Sequence, residues 1–199
     1  MVHATMITPY QPNLGIEYAK KYYLNGNPNF YKATVDCTNF VSQCIWAAYG
    51  GWSPSMSEAE VKKNIRDGFR MIKGAYTSAW YANQGGGSRA WENVDYLWSF
   101  MTYQKTYGPK ATGVNSGKLY TSINPKDIQV GDVMQFSLNG WDYHHTVYVI
   151  SVDRNAPSFS NIIVAQRTAN KIRTLEDAIE NNGGDECYMR KMTFHSTNF

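Results

Sequence analysis

The chain is short of cysteine, of charge and of long apolar runs, and each shortage argues against a class of protein. Its three cysteines, Cys37, Cys44 and Cys187, cannot all pair and form no CxxC, which argues against a zinc site and leaves room for at most one disulfide. If Cys37 and Cys44 share a helix they lie about 10 Å apart and cannot bridge each other. No window approaches 18 apolar residues, so no membrane-spanning helix is expected. Residues 1–7 lack a basic region followed by an apolar run, so no signal peptide is read there. Charged residues make up 18% with a net charge of +3 and no Lys/Arg run, which argues against nucleic acid as a partner. The glycine run Gly85-Gly86-Gly87 lacks a surrounding GxxxxGK[ST], so it is read as a mobile turn, with a substrate-covering loop as the alternative.

What remains suits an ordinary globule. At 199 residues and 43% hydrophobic content the chain is read as one domain, residues 1–199, with residues 1–12 as an extended, proline-bearing lead. Aromatics at 15% serve cores and binding clefts alike and so exclude neither.

The organising stretch is residues 35–51. Phe40, Val41, Cys44, Ile45 and Ala48 recur at helical spacing, Asp36 is a preferred N-cap residue, and Gly50-Gly51 stop the helix. Cys37 therefore falls in the first turn of a helix whose other side is core. There the helix dipole and unpaired backbone N–H groups favour thiolate over thiol, and the same N–H groups can receive an oxyanion. Cys44 lies on the apolar stripe and reads as a buried core cysteine.

In chain order, a first amphipathic helix runs from Asn13 to the break at Asn25-Gly26-Asn27-Pro28, and a capping box, Ser57-x-x-Glu60, starts another helix. Trp91, Val94, Leu97, Trp98 and Met101 form a further helical stripe. Residues 107–125 read as an irregular connection. The period then changes: residues 127–136 turn into a strand, Asn139-Gly140 signals a hairpin, and residues 146–152 form a β-branched run that fits a buried strand. A return strand starts at Ile162, a short helix spans residues 175–180, and a last strand covers residues 187–194. Helices first and strands second predict an α+β domain, with N-terminal helices packed on a C-terminal antiparallel sheet.

A thiolate needs a proton acceptor, and the chain offers four histidines. His3 and His195 sit near the ends; His144 and His145 stand at the mouth of the β-branched strand. Alternation groups His145 with Val147 and Val149, and His144 with Thr146 and Tyr148. If the Cys37 helix packs on the Val147 face, His145 is the general base and then the general acid.

The string Asp36-Cys37-Thr38-Asn39-Phe40-Val41-Ser42-Gln43 resembles the nucleophile signature of a bacterial putative amidase domain family, itself similar to the NlpC-type and CHAP-type cell-wall peptidases with a papain-like core. The likeness extends to residues 18–28, to Trp80-Tyr81 with Ser88-x-x-Trp91-x-x-Val94, to Gly131-Asp132-Val133 and to His145-Thr146-Val147. It implies a papain-like (NlpC-like) fold and a thiol amidase cutting the peptide part of peptidoglycan, with Cys37 as nucleophile, His145 as base and Asn170, or alternatively Gln166, orienting the ring. It also implies a substrate-facing role for Asp36, Trp80, Tyr81 and Trp91. Neither metal nor cofactor is needed, and the protein would act as a monomer on the cell wall, outside the cytoplasm, as a secreted enzyme, delivered effector or phage-lysin module. Where the family often has a His before Thr, this chain has Arg167-Thr168, and a guanidinium cannot accept an imidazole N–H. That departure keeps open a rival reading, a catalytically inactive module that binds wall or protein. A second rival, a protease or acyl transferase using the same Cys-His pair, stays open because the sequence does not decide between water and an amine as acceptor.

Overall fold

A computed structural model of the protein describes residues 6–75 and 78–199, so His3 lies outside the described residues. Six α-helices are present among them: α1 (Pro12–Tyr22), α2 (Cys37–Ala48), α3 (Glu58–Asp67), α4 (Arg89–Glu92), α5 (Val94–Thr102) and α6 (Leu175–Asn181). Three of these helices, α1, α3 and α5, start where the sequence provides a starter. Pro12 occupies the first turn of α1, and Ser57 and Glu60 make the reciprocal capping box of α3. Asn93 separates α4 from α5, accepting N–H bonds from Asp95 and Tyr96 through its side chain.

The eight strands are β1 (Ala82–Asn83), β2 (Gly86–Gly87), β3 (Lys110–Val114), β4 (Val133–Ser137), β5 (Tyr143–Ser151), β6 (Ile163–Gln166), β7 (Lys171–Thr174) and β8 (Tyr188–His195). The last six form one antiparallel sheet in the order β3-β8-β4-β5-β6-β7. The molecule is thus a mixed α/β domain. Two strands escape the sequence pattern. β3 lies inside the stretch read as irregular, and β7 is too short and polar to show a period; both are edge strands, one partner short, with mostly exposed or half-buried residues. The glycine run also differs from its reading as a mobile turn: it closes a paired two-strand hairpin, with Ala82 opposite Gly87 and Asn83 opposite Gly86.

The sheet is covered on both faces. On one side α2, buried along its whole length, packs Phe40, Val41, Cys44 and Ile45 against Tyr148, Ala165, Val133 and Met192, with α1 beyond it. Truncating Ile45 to Ala would cost about 2–5 kcal/mol, the usual range for a filled core position. On the other side α6 supplies Leu175, Ala178 and Ile179 against Met134, Phe136, Val147, Val149 and Val164. The expectation of N-terminal helices on one face is therefore completed by a C-terminal helix on the other. It also settles a register question. α2 packs on the Thr146 and Tyr148 face, not the Val147 face on which the choice of His145 rested.

Candidate active site

Cys37 opens α2, as its spacing predicts, and its side chain is almost fully enclosed at 2% exposure. Val94 and Tyr143 pack against it. Tyr143 reaches that position because β5 carries a bulge: Phe136 pairs with His145 but Ser137 pairs with Tyr143, leaving His144 as the extra residue. The sulfur lies 3.7 Å from the Thr38 hydroxyl, which lies 3.1 Å from the Thr146 hydroxyl. Burial pushes the thiol pKa up; the Thr38 hydroxyl and the backbone N–H groups of Thr146, Thr38 and Cys37 pull it back. The Thr146 N–H is one peptide bond from His145, so the sulfur sits at the mouth of β5.

His145 belongs to the other face. Its ring stacks on Phe136 at 6.0 Å between centroids, and its Nε2 lies 3.2 Å from Gln166 Oε1. Gln166 donates through Nε2 to the Thr168 carbonyl, so its oxygen is the acceptor and His145 Nε2 carries the proton. The lone pair of the neutral ring is then on Nδ1. Burial lowers the His145 pKa, the Gln166 bond opposes that, and the neighbouring His144 and Arg173 charges lower it further. The ring is therefore neutral near pH 7 and can accept a proton. No hydrogen bond joins it to Cys37 among the described residues. His144, exposed on the bulge, bonds through Nε2 to Asn182 Oδ1 at 2.9 Å.

Of the two residues the resemblance offers for orienting the ring, Gln166 is the one that bonds to His145. Asn170, the first choice from the resemblance, is exposed and donates to the Leu24 carbonyl at 3.0 Å, on the far side of the β6–β7 turn. Arg167 is explained by charge: its Nε pairs with Asp36 Oδ2, and its Nη1 donates to the Tyr22 carbonyl at 3.2 Å. A permanent cation there closes the C-terminal end of α1 and holds Asp36, the residue before α2, neither of which imidazole would do as strongly. Asp36 is accordingly not a side-chain N-cap. Its Oδ1 accepts from Asn39 at 2.7 Å, its backbone N–H donates to Thr168 Oγ1, and both carboxylate oxygens are occupied by protein. Thr168 and the following Ala169 hold φ angles of +65° and +60°, a costly conformation for a β-branched residue, at the turn that touches both Asp36 and Gln166.

The tryptophans leave the cleft. Trp80 and Trp91 are both 0% exposed, 4.5 Å apart between ring centroids, and donate to Ser42 Oγ and Asn39 Oδ1 of α2. Their size and N–H groups are used to seat α2. Tyr81 is half-buried against the same core. Cys44 and Cys187 are buried and free, and burial raises the pKa of each. His195 bonds to Thr112 on the β3–β8 edge. Thr38, Thr146 and Tyr143 are the site residues that spacing alone does not mark.

An open depression of about 510 Å³ lined by Ala33, Val35, Arg89, Glu92 and Asn93 borders the site, Val35 preceding Asp36 and Asn93 preceding Val94. A larger aromatic cleft of about 530 Å³, with Tyr96, Phe100 and Lys105, includes neither Cys37 nor His145 in its lining. Among the described residues no group of three His, Cys, Asp or Glu could hold a metal ion, and no helix is long and apolar enough to cross a membrane.

Comparison with known proteins bears on this arrangement. The chain is 25% identical over 140 residues to the uncharacterized protein YhbB of Bacillus subtilis (strain 168), an alignment covering 70% of this chain and 36% of that protein. It thus spans about a third of that relative's length. No solved structure matches. The family described as "Putative amidase domain" matches residues 9–190, nearly the whole chain and every residue of the Cys37 and His145 clusters, and the chain belongs to that family.

Proposed function

We propose that the protein is a thiol amidohydrolase of papain-like design that cuts an amide bond in the peptide part of bacterial peptidoglycan, outside the cytoplasm. The observation that carries the reading is the Cys37 sulfur at the start of a 12-residue helix, ringed by hydrogen-bond donors, at the mouth of the strand that bears a neutral, Gln166-held imidazole. The substrate peptide would enter by the depression beside Val35 and Asn93. Cys37 then attacks the amide carbonyl carbon, forming a C–S bond, while the carbonyl oxygen becomes an oxyanion held by the Cys37 backbone N–H. His145 Nδ1 takes the thiol proton and returns it to the nitrogen as the C–N bond breaks. Water, deprotonated by the same ring, releases the acyl group from sulfur.

The gap between thiol and imidazole has to close for this cycle. Catalytic hydrogen bonds commonly tighten only in the substrate complex, and the bulge at His144 gives β5 local freedom at that point. The same gap, with burial raising the thiol pKa, favours the second reading, a binding module without turnover. Incubation with purified peptidoglycan, followed by mass spectrometry of released termini, separates the two. New amine and carboxyl termini within the stem peptide that vanish in Cys37→Ser support the enzyme; retention of peptidoglycan on the intact protein without any new terminus overturns it.

A further inference from the structure

A buried chain of side chains ends on the Cys37 sulfur. Arg190 on β8 donates from Nε to Gln135 Oε1 at 2.8 Å, and Gln135 donates from Nε2 to the Val94 carbonyl at 2.9 Å and to Thr146 Oγ1 at 3.4 Å. Thr146 Oγ1 lies 3.1 Å from Thr38 Oγ1, which lies 3.7 Å from Cys37 Sγ. Gln135, Thr146 and Thr38 are 0% exposed and Arg190 5%, so no bulk water competes along the chain. Arg190 is itself held by Asp95 at 2.8 Å and lies over the Tyr143 ring at 3.6 Å.

Donor and acceptor counts give this chain a direction. A guanidinium has no acceptor, so the Gln135 atom facing it must be the oxygen. A flipped amide would set donor against donor there and oxygen against oxygen at Val94, so two contacts fix the same orientation. Gln135 Nε2–H thus donates to Thr146 Oγ1. The two hydroxyl contacts that follow admit either donor, and the Gln135 bond leaves the Thr146 hydrogen for Thr38 Oγ1 and the Thr38 hydrogen for the sulfur.

We infer that Arg190, Gln135, Thr146 and Thr38 form a one-way hydrogen-bond relay that points an O–H at Cys37 and favours its thiolate over its thiol. A donor to the charged form favours that form, and a chain of polarised donors in a dry interior strengthens the last of them. Arg190 and Gln135 are positioning residues that act through the two threonines. The inference rests on Cys37 as nucleophile, but its consequence is read on the thiol itself, without turnover.

The test is the pH dependence of iodoacetamide alkylation of Cys37, followed peptide by peptide by mass spectrometry in the full chain. Thr146→Val keeps the shape and cuts the relay; Thr146→Ser keeps the hydroxyl. The charged or titratable groups around this end of α2 are Asp36, Arg167, Glu92, Asp95, Tyr143, His144, His145 and Arg190, and neither substitution removes any of them. Thr38→Val, which removes the bond to the sulfur itself, should move the alkylation midpoint up by about 1–2 pH units, the scale of one hydrogen bond to a charged group; Thr146→Val should move it the same way by a fraction of that, and Thr146→Ser should restore it. Either valine variant carries the test should the other fail to fold by circular dichroism. Unchanged midpoints in the folded valine variants overturn the relay. A shifted midpoint in a protein that cuts no peptidoglycan leaves the relay standing and removes the proposed activity.

Discussion

The two faces of the six-stranded sheet are built differently. The α2 face is a large aromatic core threaded by buried polar groups: Asn39, Ser42 and Gln43 bond to Trp91, Trp80 and Tyr18, and Thr38 meets Thr146. The α6 face is smaller and poorer in aromatics; its buried polar groups include His145 with Gln166 at one end and, beside Met134, Lys191, which pairs with Asp132. Cys37 belongs to the first face and His145 to the second, so the proposed chemistry has to pass around the mouth of β5. A fully bonded polar interior fixes a helix in one place, because any shift would strand buried donors and acceptors. Cys37 is therefore held rigidly, and in the proposed cycle any adjustment falls on the bulged side.

The largest expected effect falls on the α2 face. Cys37→Ser should abolish release of new termini from peptidoglycan while circular dichroism stays unchanged, since the hydroxyl is a far weaker nucleophile of similar size. Normal turnover in that variant would end the thiol mechanism. On the α6 face His145→Ala should lower the turnover rate by about 10²–10⁴-fold, the range for a lost general base, and His144→Ala should spare it. The opposite pattern would make His144, which sits on the bulge and bonds to Asn182 at the end of α6, the residue that crosses to Cys37.

The link between the faces can be cut at Arg167. Its side chain and that of Asp36 are 12% and 13% exposed, and Arg167→Met leaves a carboxylate buried without its charge partner. Chemical denaturation should show a loss of about 3–5 kcal/mol. Smaller still, Cys44→Ser puts a hydroxyl into the apolar side of α2 and should cost about 1–3 kcal/mol on the same measurement, with activity retained. Last comes a pH dependence. Because folding lowers the His145 pKa, the unfolded chain takes up a proton first as pH falls below about 6.5. The stability contribution of the neutral ring is complete above that value and is lost as pH drops towards the folded pKa. Unfolding free energies measured from pH 7 downward should fall along this slope, and His145→Gln should flatten it.

Local signals carried much of the architecture. Asp36 to Gly51 outlined α2 with Cys37 in its first turn, Ser57 and Glu60 started α3, Asn139-Gly140 marked the β4–β5 hairpin, and the residues that became α6 and β8 stood out by period. Those features depend on neighbours a few residues apart, which is the range that spacing reports. Arg167 could be recognised as unfit to orient an imidazole, but its partners Asp36 and the Tyr22 carbonyl are more than a hundred residues away in sequence. The tryptophans had the right composition for a cleft or a core, and only their N–H partners on α2 decided for the core. Asn170 was the first candidate and Gln166 its alternative, and the turn through Thr168 and Ala169 separated them, leaving Gln166 beside His145.

By itself the sequence determined that β5 exists and which of its side chains share a face: Thr146 with Tyr148, and Val147 with Val149. It did not determine which set meets α2. Alternation identifies the inner face of a strand when the other face is wet and polar. Here residues 146–150 are buried on both sides, so both sets read as core. The bulge at His144 then breaks the period at the residues where the site begins. Only the packing of α2 and α6 on opposite faces decided that Thr146 would touch the cysteine's helix and that His145 would turn away from it.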